Sequence, residues 1–546
     1  MSVQREFLFD ATESQTLRMD SSSHCGNRET SAVPCGDLSP RGRSDKATSR
    51  TADTHAAEES DGLVVPSKRA NNADEARPRA AAESVEGRGP AKGNEERSLT
   101  DRPQRRKHQS GGLFGVRLAA EKDRQLRFTA LMHHLTLELL TSSYFDLKKS
   151  AAPGIDGVTW REYAQDFETR LQALHDRLHQ GTYRAQPSKR QWIPKADGRL
   201  RPLGIAALED KVVQAAMVTL LNQIYETEFI GFSYGFRPGK SQHKALDALS
   251  VGLLKRKVNW VLDADIQGFF DNISQEKLLK LVELRIGDRR VLALLRKWLT
   301  AGVSEDGEWS PSQVGTPQGA VISPLLANVF LHYVLDQWVD HWRKQCRGDV
   351  IVVRYADDFV MGFQHKSEAE RCLRELRARL AEFELTLHPE KTRLIEFGRY
   401  AESNRRERGD DKPETFAFLG FTHICGTTRQ GWFTVKRLPL AKRLRAKLQE
   451  IKTQLRKRLH HTVHATGAWL RSVVRGSLNY YAVPGTSSVL DQFVTEVDRH
   501  WAKSLRRRSQ RGRRAWPWTR LTRIVKHWIP RARIVHPYPD QRLRVT

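Results

Sequence analysis

Apolar residues are spread unevenly along this chain, and their spacing divides it. Residues 1 to about 110 hold only two aromatics, Phe7 and Phe9, among Ser, Ala, Gly, Asp, Glu and Arg without period. Such a stretch buries too little surface to offset ordering entropy, so a disordered basic and polar tail is expected there. Its last part, DRPQRRKHQS at 101–110, is basic and suits either RNA or a plain linker. An apolar pattern returns from Leu126 to Leu147 and predicts a helix ending before the turn signal AAPGIDGVTW at 151–160. Between about 160 and 420, helical stretches such as Asp210 to Ile224 alternate with short apolar runs, Val258 to Asp263 and Val350 to Arg354. That mixture predicts an α+β domain. After about 435 the strands are expected to stop. Leu440, Leu444, Leu448, Ile451, Leu455 and Leu459 recur at spacings of four and three with Lys and Arg opposite, which predicts an amphipathic helix with a basic back. The back is a solvated face or, beside a polymerase, a groove wall for a duplex. No internal repeat of about 20–50 residues is visible.

Charge sharpens this picture. Lys and Arg number 91 against 64 Asp and Glu in 546 residues, a net charge of +27, which calls for a polyanionic partner. The excess is spread over the whole length, and no run of about 18 apolar residues or secretory signal occurs, so nucleic acid is preferred to a membrane. A cytoplasmic, nucleoid-associated protein is expected. Cys25, Cys35, Cys346, Cys372 and Cys425 form no C-x-x-C pair, against structural zinc or a disulfide framework.

Two segments carry candidate chemistry. IVVRYADDFVMGF (351–363) is an apolar run, two carboxylates and a second apolar run, which predicts a hairpin with Asp357 and Asp358 at its tip. WVLDADIQGFFDNI (260–273) likewise drives an apolar strand into Asp265. Taken singly, each is an ordinary acidic turn. Side by side they would gather three carboxylates, which stay ionised only with strong cationic compensation, as hard divalent cations give to oxygen ligands.

With these strings in view, the sequence resembles a reverse transcriptase of the group II intron kind. YADD (355–358) matches the Tyr-x-Asp-Asp box and Asp265 the first catalytic aspartate. IPKADGRLRPLGI (193–205), SYGFRPGKSQHKAL (233–246), GTPQGAVISPLLANVFL (315–331), LTLHPEKTRLI (385–395) and FAFLGF (416–421) follow in the family's order. The resemblance implies a right-hand polymerase: a tail (1–110), an N-terminal extension (111–185), fingers and palm (186–425), a helical thumb with maturase domain X (435–515) and a short basic C-terminal segment (516–546). It implies two magnesium ions held by Asp265, Asp357, Asp358 and the carbonyl of Ile266, with Lys391 protonating pyrophosphate. Lys195 and Arg201 would reach the β- and γ-phosphates, Phe270 would exclude a 2′-hydroxyl while Phe269 joins the core, and Gln318 would meet the nucleotide. Pro317, Gly319 and Arg237 would lie at the template, glycine allowing close backbone approach.

VVRGSLNYYAV (473–483) and WAKSLRRRSQRGRR (501–514) resemble domain X, which implies RNA contacts by Arg475, Arg506, Arg507 and Arg508. Tyr480 and Tyr481 suit RNA or helix packing equally. No HNH endonuclease pattern is present, so a pre-existing DNA 3′ end is the expected primer. Ser274, Ala320 and Ala206 depart from the family pattern without removing a metal ligand. The partners implied are intron RNA, a DNA primer or target, and deoxynucleoside triphosphates. The rivals are a reverse transcriptase used in phage defence, disfavoured by domain X, and a non-catalytic RNA-binding maturase, disfavoured by the intact carboxylates.

Overall fold

The computed structural model describes residues 111–546 apart from 195–199, 313, 509–513, 515 and 543–546. The expected tail, the Cys25 and Cys35 thiols and Lys195 lie outside the described residues. The strands are β1 (Ser188–Pro194), β2 (Leu200–Ile205), β3 (Trp260–Ala264), β4 (Val303–Glu305), β5 (Glu308–Ser310), β6 (Val350–Tyr355), β7 (Asp358–Phe363), β8 (Arg393–Glu396), β9 (Phe416–Phe418), β10 (Phe421–Thr427) and β11 (Phe433–Pro439). They form three sheets, ordered β2-β1-β4-β5, β6-β7-β3-β8 and β11-β10-β9.

The middle sheet organises the rest. Its neighbours are all antiparallel, and the two-residue period sorts its side chains to opposite faces. Leu262, Ala264, Phe359, Met361 and Phe363 join the largest core, with the helices Leu208–Tyr225 and Ser323–Leu331. Val261, Val353, Val360 and Ile395 join a second core with the helix Gln242–Lys255 and β9 to β11. Apolar partners on both faces explain why β6 and β7 read as near-continuous apolar runs.

The helix Ala441–Lys457 buries Leu444, Ile451 and Leu455, as its spacing predicts. It packs with the helices Val463–Tyr481, Ser487–Arg506 and Trp518–Trp528 around Leu470, Val474, Phe493, Val497 and Trp501. Strands persist to Pro439, and helical segments continue through Trp518–Trp528 to the short helix Pro539–Arg542.

The helix expected from Leu126 is only half present. Phe128 pairs by backbone with a distant corner, its N–H donating to Arg285 O at 2.8 Å while Gly287 N–H donates to its own carbonyl at 2.7 Å. The Asp288 carboxylate accepts the Leu131 and Met132 amides at 2.7 and 2.9 Å. Those long-range partners satisfy the backbone that a helix would have used, and the helix starts at Leu137 under a Thr136 cap. Among the described residues Cys346, Cys372 and Cys425 are free thiols, and no helix is long and apolar enough to cross a membrane.

Candidate active site

Tyr355 pairs with Asp358, so β6 and β7 close through the two-residue turn Ala356–Asp357. Ala356 sits at φ 56°, a left-handed conformation that costs a non-glycine residue about 1–3 kcal/mol unless its surroundings hold it. Across the sheet, Ala264 pairs with Phe359. One step further in the same register, Asp265 faces Asp358, and the pleat puts Asp263, Asp265, Asp358 and Val360 on a common face. The neighbouring Asp263 and Asp265 and the distant Asp358 therefore share one face of one sheet, with Asp357 in the adjoining turn.

Asp265 is almost buried, and the Lys391 ammonium lies 3.2 Å from its Oδ2. The loop carrying Lys391 is laid beside β3 by two backbone bonds, His388 N–H to Asp265 O at 2.8 Å and Gln267 N–H to Thr386 O at 2.9 Å. Burial pushes the Asp263 carboxyl up to about 7, with Arg393 at 3.9 Å pulling it down and Asp265 adding to the rise. Among the described residues no group of three or more His, Cys, Asp or Glu is drawn tightly enough to hold a metal ion. The donors nonetheless fit a hard divalent cation in kind. They are carboxylates sharing one sheet end, and a cation, the Lys391 ammonium, already sits against one of them.

The surrounding candidates are linked to one another. Gln318 accepts from Arg201 Nε on its Oε1 at 2.9 Å and donates from Nε2 to Asp271 Oδ1 at 2.8 Å. The Gln318 carbonyl also accepts from Gly204 N–H at 2.6 Å, tying the 317–319 loop to β2. Pro317 is half-buried, and its carbonyl accepts from the Ser323 hydroxyl at 2.9 Å. Gly319 takes φ 106°, and a Cβ there would stand 2.6 Å from Gly204 O, so the close approach needing glycine is to the protein's own β2. Phe269 is buried while Phe270 is half-buried beside it. Ile266 is buried at the foot of the site.

Arg237 is a correction. Its side chain is 5% exposed, pairs with Glu226 at 3.1 Å and donates to the carbonyls of Ser233 at 2.7 Å and Ile230 at 2.9 Å. With its donors taken up inside the protein, it braces the loop before the helix Gln242–Lys255 and does not face a template. Tyr480 is likewise structural: its hydroxyl donates to Leu419 O at 2.7 Å, and its ring packs with Phe421 and Tyr481. Arg475 and Arg507 are exposed. Arg506 and Arg508 are half-buried, the Arg506 guanidinium 5.9 Å from the Trp518 ring.

Sequence reasoning missed the exposed Asp271, and it missed the ion pair of Arg354 with Asp336, two fully buried side chains beneath the hairpin. The readable signal was a lone cation inside the apolar run IVVRY, since arginine is almost never buried without a partner.

Similarity to known proteins bears on this site. Residues 193–423 match the family model described as reverse transcriptase (RNA-dependent DNA polymerase). Protein YkfC of Escherichia coli (strain K12) is 34% identical over 310 residues, which make up 50% of this chain and 81% of YkfC. The group II intron-encoded protein LtrA of Lactococcus lactis subsp. cremoris is 40% identical over 176 residues, 32% of this chain but only 28% of LtrA. The nuclear intron maturase 2, mitochondrial, of Arabidopsis thaliana is 24% identical over 235 residues, 35% of this chain and 30% of that protein.

Proposed function

This chain belongs to the reverse transcriptase family in its group II intron-encoded branch, and from that premise we propose that it copies RNA into DNA and binds intron RNA as a maturase. The reading rests on one observation. Ala264 pairs with Phe359, which brings the adjoining Asp265 and Asp358 to the same end of one sheet, next to the turn that carries Asp357. In this reading β3 and β6 to β8 belong to the palm, β1, β2, β4 and β5 to the fingers, and the helices after Pro439 to the thumb and domain X.

Asp265, Asp357 and Asp358 would hold two magnesium ions, which acidify the primer 3′-hydroxyl and neutralise the departing pyrophosphate when bound. The chain's own groups do the rest. Lys195 and Arg201 receive the β- and γ-phosphates, with Gln318 orienting Arg201 through their shared hydrogen bond. Phe270 walls the sugar pocket against a 2′-hydroxyl. Lys391, already on the site through Asp265, donates a proton to the leaving oxygen of pyrophosphate. Pro317 and Gly319 shape the template side. Exposed Arg475 and Arg507, with Arg506 and Arg508 beside them, contact RNA phosphates.

Primer extension on an RNA template, with magnesium and deoxynucleotides, tests the proposal. Asp357→Asn is expected to abolish extension and leave RNA binding intact, because the carboxylates and the basic helices are separate surfaces. Wild-type protein that elongates no annealed primer would refute the polymerase, and joint loss of RNA binding in Asp357→Asn would refute the separation.

A further inference from the structure

The strained turn that carries Asp357 is held from below by buried side chains of the protein itself. Arg354, the residue before Tyr355, is completely buried. Its Nε and Nη2 form a fork on the two oxygens of Asp336, at 2.7 and 2.5 Å. Nη1 donates to two further acceptors, the Ala356 carbonyl at 2.8 Å and Asn328 Oδ1 at 3.1 Å. Asn328 then donates from Nδ2 to Gly235 O at 2.7 Å, and Gly235 lies so close to the turn that a Cβ on it would stand 2.2 Å from Ala356 N. The Arg354 backbone is fixed as well, its N–H donating to Phe232 O and its carbonyl accepting from Tyr234 N–H, both at 2.9 Å.

Asn328 and Asp336 are eight positions apart on one continuous helical stretch. In a regular α-helix eight residues overshoot two turns by about 80°, which would turn one of the two side chains away from Arg354. Residues His332–Asp336 form a π-helical segment, with Gln337 N–H closing on His332 O. The wider turn absorbs the excess, so both side chains meet the same guanidinium. The sequence thus spends a helix irregularity, a buried ion pair and an amide on one carbonyl at the tip of the hairpin.

We propose that Arg354, Asp336 and Asn328 are positioning residues that hold Ala356 in its left-handed conformation and so fix where Asp357 and Asp358 present their carboxylates. The inference rests on the polymerase reading for its kinetic consequence, though not for its geometry. Arg354 acts by geometry more than by charge, because only a planar fork meets Asp336, Asn328 and the Ala356 carbonyl together. A glycine at 356 would adopt the same backbone unaided and lift the requirement.

Arg354→Lys keeps the charge and loses the fork. Asn328→Ala is a milder cut for the case in which the lysine variant does not fold. Each is made alone and combined with Ala356→Gly, checked for folding by thermal unfolding, and assayed for primer extension across a magnesium series. The single variants are expected to lose kcat by about a hundredfold, the scale of a misplacement of about 1 Å, with the deoxynucleotide KM little changed and more magnesium needed for half-maximal rate. Adding Ala356→Gly is expected to restore most of the rate. Amide hydrogen exchange at 355–358 is expected to quicken in Arg354→Lys and Asn328→Ala while the rest of the sheet stays protected. Folded variants with unchanged kcat and unchanged exchange would overturn the proposal, as would a loss that glycine at 356 does not relieve. A wild-type protein without extension activity would sink the polymerase reading alone, and the exchange measurement would still decide the positioning role.

Discussion

His423 lies fully buried with its ring stacked on Phe416, centroids 4.7 Å apart and 6° from parallel. Burial, with Arg437 nearby, pushes it down to about 3, and burial with Arg354 and Arg237 does the same to His332. An unfolded histidine titrates near 6.5. As pH falls below about 6.5, the unfolded chain takes up protons that the folded chain refuses, so the stability tied to these rings is whole above that pH and drains away towards about 3. Each ring accounts for about 1 kcal/mol of loss between pH 7 and 5.5. Buried Asp210, pushed up to about 6, works in the opposite sense and partly masks the effect. His423→Phe isolates it: denaturant unfolding is expected to show that the variant loses about 1 kcal/mol less than wild type on acidification from pH 7 to 5.5. Equal losses would show that His423 does not stay neutral in the fold. His423 looked like nothing in the sequence, because only its neighbours in space make it unusual.

At the scale of elements, the β6–β7 hairpin and the helix Ala441–Lys457 were legible, and the stretch from Leu126 was not. The first two follow from local periodicity and turn chemistry. The third depends on Asp288, which no local pattern links to Leu131. Element packing also fixes single glycines. Trp528, on the helix Trp518–Trp528, sits over Gly467, where a Cβ would come within 2.5 Å of the indole. Arg471 holds the indole from the side, its guanidinium 4.7 Å from the ring and its Nε donating to Trp528 O at 3.2 Å. Gly467→Ala is therefore expected to loosen that helix, at a cost of about 1–3 kcal/mol from overpacking. Hydrogen exchange should rise across 463–529 and not across β3, β6 and β7. Uniform protection in the variant would mean that the contact is slack.

For the whole molecule, a net charge of +27 predicts that RNA affinity is largely a matter of counterion release. Single-stranded contacts contribute roughly −0.7 each to the slope of log affinity against log salt, so six phosphate contacts give about −4. Binding titrations from low to physiological salt are expected to reach that steepness, and a flat response would remove the basic surface from the account. The sequence by itself determined the charge, the existence of the hairpin and the identity of its carboxylates, because side-chain periods of two and 3.6 and the chemistry of turns are written locally. It did not determine which face each strand shares with which partner. That Asp265 and Asp358 come to the same end of one sheet is a matter of register between strands far apart in the chain. That Arg237 turns inward, although its string looked like a template contact, depends on Glu226 and three carbonyls arriving around it. A buried guanidinium is tolerable only with its partners in place, and Arg354, Asp336 and Asn328 reach one another only after the π turn and the sheet have both formed. Periodicity states which residues seek burial, and only the folded chain decides what they are buried against.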